Sequence, residues 1–320
     1  MQKEFTRVLL TLSFPETKAK RCASIFAGNS RDGVYSHGLN RFPVFVQLVR
    51  DGLIDPASEP EVINTNGTIE HWDGQCGAGM YNASAAMTRA IELAKEHGLG
   101  LVTLRNTNHW MRGGTYGWLA ADAGCIGICT TNTIANMPPW GGKEPRLGNN
   151  PLVIAVPHEK GNIVLDMALS QYSYGALQEY EFKKQQLPVP GGYDEKGNLS
   201  QDPSVIRASQ RALPIGFWKG SGLSLLLDVV LTALSGGDSV SRISARKKET
   251  GITQLFLCIY QQQLHDGLVR EIIEYTKSSA PAEGGQSIAY PGEHTLRTRE
   301  DNLRNGIPVQ EDIWKQVLAM

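Results

Sequence analysis

His37 and Arg41 stand four residues apart in the run Ser36-His37-Gly38-Leu39-Asn40-Arg41. A histidine titrates near neutral pH and can give a proton to a forming alkoxide. An arginine grips a carboxylate through two parallel hydrogen bonds. Together they suit reduction of a ketone that sits beside a carboxylate. The plain alternative is an ordinary helix start capped by Ser36 or Asn40. Pro43 restricts the turn before it, so spacing alone leaves both readings open.

A second group follows the apolar run 99–104: Asn108, His109, Trp110, Met111, Arg112 and two glycines. Ligands of α/β sheets gather where strands end, and amide, imidazole and guanidinium groups there can meet polar substrate oxygens. A glycine turn with a partly buried His and Trp is the competing reading. Asn132 and the stiff loop 137–142 (Met-Pro-Pro-Trp-Gly-Gly) again follow a predicted strand, and Asn149-Asn150-Pro151 leads into the next one. A third candidate is Lys219-Gly220-Ser221-Gly222. Free backbone amides at a helix start, the helix dipole and a lysine favour an anion such as a pyrophosphate. A lone GxG is weak support for that.

Other chemistries lack their residues. No complete GxGxxG follows a strand, no GxSxG elbow is present, and no P-loop occurs. His71, His97, His158 and His265 do not cluster with acids or cysteines at metal-ligand spacing, so no metal site is expected. Cys22, Cys76, Cys125, Cys129 and Cys258 are odd in number and contain no CxxC. They read as reduced thiols in a cytoplasmic protein rather than as a disulfide framework.

The elements that position these groups alternate between helix and strand. Helices are expected over 16–27, 43–50, 84–97 and 116–123. A hairpin is expected around Asn66-Gly67 within 62–70. Strands are expected over 99–104, 125–130, 152–156, 163–165 and 253–260. Residues 178–213 read as a long connection with little regular core. The apolar stretch 222–234 reads as a helix buried on most sides. After a helix over 269–275 comes a small-residue link at 278–285, then closing helices over 295–303 and 309–318. With helices at both ends and sheet between, the termini are expected to pack together. That gives a discontinuous helical unit, 1–55 with 295–320, and a mixed-sheet core, 56–294.

Composition sets outer limits. The chain has 320 residues, 41% hydrophobic and 20% charged, with a net charge of −1. That excludes a disordered chain and the strong positive field of a nucleic-acid or anionic-membrane binder. The longest apolar stretch, 223–234, contains Asp228 and is too short to span a bilayer. The 34 glycines are scattered, as in a chain that turns tightly around a ligand.

In chain order, Ser36-His37-Gly38 with Arg41, Asn108-His109, Pro138-Pro139-Trp140-Gly141, Asp166-Met167-Ala168, Lys219-Gly220-Ser221-Gly222 and Pro291-Gly292-Glu293 resemble the malate/L-lactate dehydrogenase type 2 family over nearly the whole chain. The stretches 33–43, 108–114, 172–175 and 217–220 look like a branch that acts on a keto sugar acid. The resemblance implies a non-Rossmann mixed sheet between helical layers, a homodimer, and NADH as cofactor with NADPH as the alternative. It implies His37 as proton donor and Arg41 as carboxylate clamp, with Ser36, Asn108, His109 and Asn132 around the substrate. It places Asn162, Ile163, Val164, Leu165, Asp166, Met167 and Ala168 along the cofactor, completed by Trp218, Lys219, Gly292, Glu293 and His294. Asn149 stands where the family often has threonine. Malate, L-lactate or ureidoglycolate are the alternative substrates. A non-catalytic binding protein on the same fold is the alternative of another class, and a retained acid, clamp and anion site together argue against it.

Overall fold

A computed structural model describes residues 1–320 apart from Glu283, Gly284 and Gln286. The expected link at 278–285 therefore falls partly outside the described residues. In chain order the elements are α1 (Gln2–Thr11), α2 (Glu16–Arg31), α3 (Phe42–Arg50), β1 (Glu61–Asn66), β2 (Ile69–Asp73), α4 (Gly79–His97), β3 (Leu99–Thr107), α5 (Gly114–Asp122), β4 (Ile126–Thr131), β5 (Leu152–Val156), β6 (Ile163–Met167) and α6 (Tyr174–Phe182). There follow β7 (Gly192–Tyr193), β8 (Leu199–Ser200), α7 (Pro203–Ser209), α8 (Trp218–Ser235), α9 (Val240–Ala245), β9 (Ile252–Ile259), α10 (Asp266–Lys277), α11 (Glu293–Asn305) and α12 (Glu311–Leu318).

Seven strands form one mixed sheet in the order β1-β2-β3-β9-β4-β5-β6. Only β2 and β3 pair in parallel; every other pair in it is antiparallel. This order is not doubly wound. Alternation along the strands selects the faces. Val102, Leu104, Cys129, Val153, Phe256 and Cys258 point into one core with Ala83, Met87 and Ala90 of α4 and Tyr116 and Ala120 of α5. α8 packs on β2, β3, β4 and β9 yet adds nothing to that core, so it covers the opposite face.

A second core joins both ends of the chain. Phe5 of α1 stacks on Phe42 at 4.2 Å, and Phe26 meets Phe42 and Phe45 edge-on at 5.1 and 5.3 Å. Val317 of α12 is fully buried among them. Each such ring contributes roughly 1.5–3 kcal/mol by leaving water, so the terminal helices are held by the site's own N-terminal layer. α11 is tied to α2 differently: the Asn302 amide donates to Arg31 O at 2.7 Å.

Two expectations need correction. Residues 178–213 are not a bare connection. Ser173 caps α6 by accepting from Ala176 N, and Asp202 caps α7 by accepting from Ser204 and Val205 N. Leu177, Leu187 and Ile206 make a small core of their own there. Local capping outweighs the Pro- and Gly-rich composition. α8 is apolar but not buried on most sides: Leu226 is 61% and Val229 52% exposed. Its apolarity exceeds what one sheet face can cover.

Strand directions decide where a site can form. β3 and β4 end, β9 and β5 begin, and β6 ends on the same edge of the sheet. The loops from all five therefore converge there, facing the turn between α2 and α3.

Candidate active site

His37 and Arg41 lie on two successive 3-10 turns, Tyr35–His37 and Leu39–Arg41, between α2 and α3. Gly38 separates the turns because a side chain there would strike Ser30: its Cβ would fall 2.2 Å from Ser30 Oγ. Pro43 sits in the first turn of α3, where its missing N–H costs no helical bond. The turn is pinned on α2: Asn29 Nδ2 donates to His37 O at 2.9 Å, and Leu39 N donates to Ser30 Oγ at 2.9 Å. Ser36 Oγ lies 3.0 Å from His37 Nδ1, which leaves Nε2 without a protein partner among the described residues. Arg41 has no ion pair or side-chain hydrogen bond among them either.

Two cavities meet at this histidine. One, about 370 Å³, runs from Ser36, His37 and Arg41 past His109, Thr133 and Glu249 to Gln178, Arg207 and Gln210. The other, about 430 Å³, runs from the same His37 and His109 along Val164, Leu165, Asp166 and Ala168 to Pro291, Gly292 and Thr295. Gly292 closes it. Its φ is +97°, and Pro291 O accepts from Val164 N at 2.9 Å, so the loop lies flat against β6. A side chain at Gly292 would press on Val164 N at 3.0 Å.

Electrostatics keep the imidazoles neutral. Burial, then the charges of Arg41 and Arg112, pull His37 from 6.5 down to about 4. His109 is lowered well below its usual value by burial, Arg41 and His37. Met111 N donates to His109 Nδ1 at 2.9 Å, so the ring proton sits on Nε2. Burial raises the Glu249 carboxyl, opposed by the Ile134 amide and Arg41. Asp166 caps the start of α5, its Oδ2 accepting from Gly114 N at 2.8 Å. Its carboxyl is raised by burial, with Arg112 in opposition.

Behind the second cavity lies a buried charge cluster. Arg112 Nη1 donates to Asp32 Oδ2 at 2.8 Å, and Arg299 grips both Asp32 oxygens at 2.8 and 2.7 Å. Arg299 also stacks over Trp118 at 4.5 Å. This cluster ties α2, the 108–114 loop and α11 together around the cavity wall. Arg112 Nε, facing Asp166 at 3.7 Å, is buried without a hydrogen bond.

Several expected residues are used elsewhere. Asn108 Nδ2 donates to Cys76 O and Gly77 O, at 2.8 and 3.0 Å, outside both cavities. Asn132 holds Asp228, Asp238 O and Thr253 N, also outside them. Asn162 bonds Asp122. Glu293 pairs with Lys277 and Arg297, and His294 is exposed. Trp218 and Lys219 lie at the start of α8, away from both cavities. The amides of Lys219, Gly220 and Ser221 already donate to Gly216, Ile215 and Phe217. The free-amide argument for an anion there therefore fails: the tight turn before α8 satisfies the donors. Ile163 and Met167 belong to β6 without lining the cavity, whereas Val164, Leu165, Asp166 and Ala168 do.

Spacing gave no signal for Glu249, Arg207, Gln210 or Thr133. They reach the cavity only through the fold: β9 begins just after Glu249, and α7 brings in the other two long side chains. Asn149 lines both cavities, its Oδ1 accepting from Asn136 and Thr133 at 3.0 and 3.2 Å.

As chemistry, the site offers a proton-bearing imidazole, an unpaired cation and a polar chamber beside a second, partly apolar one. Val164, Leu165, Ala168 and Pro291 give flat apolar walls. Thr133, Ser173 and Thr295 add polar contacts. That mixture fits a planar aromatic amide such as nicotinamide. Among the described residues no cluster of His, Cys, Asp and Glu could hold a metal ion.

A family model described as malate/L-lactate dehydrogenase matches residues 1–318. The chain is 45% identical to 2,3-diketo-L-gulonate reductase of Citrobacter koseri and 46% to that of Escherichia coli, covering all of this chain and 98% of each relative. Among solved structures, a malate dehydrogenase from Entamoeba histolytica superposes with a TM-score of 0.94 at 25% identity, covering 99% of this chain and 94% of that one. Sulfolactate dehydrogenase from Methanocaldococcus jannaschii gives 0.89 at 30% identity, covering 99% and 93%.

Proposed function

Because the chain belongs to the malate/L-lactate dehydrogenase family and is thereby an oxidoreductase, we propose that it reduces 2,3-diketo-L-gulonate to 3-dehydro-L-gulonate with NADH, NADPH being the alternative donor. The observation that carries the reading is that His37 stands where the two cavities join, with the unpaired Arg41 on the substrate side. Names of relatives at 45–46% identity support the choice of substrate.

Val164, Leu165, Asp166, Ala168 and Thr295 would hold a nicotinamide, which when bound would supply the hydride for the keto carbon. The chain's residues do the rest. Arg41 holds the carboxylate and fixes which carbonyl face is presented. His37 Nε2 gives a proton to the carbonyl oxygen as negative charge grows there, a roughly 10²–10⁴-fold effect. Burial depresses His37 most and Arg41 next; a bound carboxylate cancels the Arg41 part, and so raises the basicity of the imidazole that must carry the proton. Ser36 Oγ orients the ring through Nδ1.

A homodimer through the exposed stripe of α8 goes with this reading. Leu226, Val229, Val230 and Leu234 recur at helical spacing and stand open to solvent. Contiguous apolar surface of this kind marks an interface. Five free thiols suit a reducing, cytoplasmic setting.

The test is loss of NADH absorbance with a panel of 2-oxo acids. The expected result is the highest kcat/KM for 2,3-diketo-L-gulonate. Diketogulonate among the poorest substrates, below pyruvate and oxaloacetate, overturns the substrate assignment.

A further inference from the structure

The substrate cavity holds a donor and an acceptor that face each other without bonding. His109 carries its proton on Nε2, because Nδ1 accepts from Met111 N. Glu249 Oε1 lies 3.8 Å from that Nε2, too far for a hydrogen bond. Glu249 Oε2 is taken by Ile134 N at 3.2 Å, so Oε1 is the oxygen left over. Both groups line the chamber beyond His37 and Arg41.

A hydroxyl is the small group that can accept from one side and donate to the other at the same time. Placed over the gap on its cavity side, its oxygen can sit at normal hydrogen-bond distance from both atoms. A methyl group there would leave a desolvated carboxylate oxygen unpaired, and a second carboxylate would meet it with like charge. Farther out the chamber stays polar but uncharged in balance: Gln178 and Gln210 line it, and Arg207 is neutralised by Glu181.

We propose that His109 and Glu249 read a hydroxyl of the substrate beyond the reacting ketone, so that the site selects polyhydroxy 2-oxo acids, the sugar acids as a class, over unsubstituted ones. The inference rests on the proposed reductase reading and adds the residues that enforce its specificity. Selection works by penalty as much as by attraction: a site built to bond a hydroxyl rejects an analogue lacking it because its own polar groups are left unpaired.

The experiment compares wild type with Glu249→Gln, measuring NADH oxidation with 2,3-diketo-L-gulonate and with pyruvate. The glutamine can still accept from Ile134 N through its oxygen, but it turns a donor toward His109 and removes the acceptor. The expected result is a fall of about ten- to hundredfold in the ratio of kcat/KM for diketogulonate to that for pyruvate, as losing a hydrogen bond to a charged group predicts. That ratio does not depend on the fraction of folded enzyme, so a destabilised variant still reports. A ratio within twofold of wild type overturns the inference while leaving the reductase reading intact. Wild type that oxidises NADH with no 2-oxo acid overturns both.

Discussion

The imidazoles of His37 and His109 face each other with ring centres 5.7 Å apart and planes 22° apart. They arrive from different parts of the fold, one on the 3-10 turn after α2 and the other on the loop after β3. A charge on either would oppose a charge on the other. His109 has its Nδ1 fixed by Met111 N, whereas His37 keeps Nε2 free toward the cavity. The pair thus separates into a fixed hydrogen-bond donor and a ring able to exchange its proton.

His37→Gln therefore removes the proposed proton donor and leaves the walls in place. The expected outcome is a kcat lower by about 10²–10⁴-fold with NADH binding, read by fluorescence titration, nearly unchanged. A variant that kept most of its kcat would remove His37 from the role.

Substrate binding should also take up a proton. His37 is held at about 4 in the free protein by burial first and then by Arg41 and Arg112, and a bound carboxylate screens Arg41. The complex then binds more protons than the free components, so affinity weakens as pH rises through the pKa of the complex. Calorimetry of oxamate binding at pH 6, in buffers of different ionisation enthalpy, should give uptake of up to roughly one proton per site. Equal heats in all buffers would refute the coupling.

Asp32 joins Arg112 and Arg299 behind the second cavity. Burial pushes its carboxyl up, but the bonds from Arg299 and Arg31 and the charge of Arg112 prevail and hold it below 3.8. Since the folded value lies below the unfolded one, its stabilisation is present above pH 3.8 and is lost as pH falls through the folded value. Asp32→Asn removes the carboxylate partner of Arg31, Arg112 and Arg299 and should cost about 3–5 kcal/mol in urea unfolding at pH 7. The acid-side loss of stability should be shallower in the variant.

The α8 stripe predicts a change of assembly. Leu226→Glu places a charge in the middle of the exposed apolar face and should shift sedimentation of the proposed dimer toward monomer. An unchanged dimer would move the interface off α8.

Local sequence was enough for elements whose signals are local. The Asn66-Gly67 turn, the helix stopped at Gly98 and the buried strand after it depend on turn geometry and hydrophobic periodicity within a few residues, and they form where those signals stand. His37 and Arg41 stood out by residue type, but their spacing left an ordinary helix start equally open; only the fold sets both on the wall of one cavity. The motifs were also enough to indicate the family, and with it a sheet that is not Rossmann. The Asn108 and Asn132 amides looked equally available but are satisfied by groups far away in the chain, which no local pattern records. The amides of Lys219–Ser221 were likewise satisfied by a turn that only the folded backbone reveals. Glu249 and Arg207 entered the cavity because five strand ends converge on one edge of the sheet and α7 folds back over it. Burial, pairing and pKa depend on distances between residues remote in sequence, and those distances exist only once the sheet order is set.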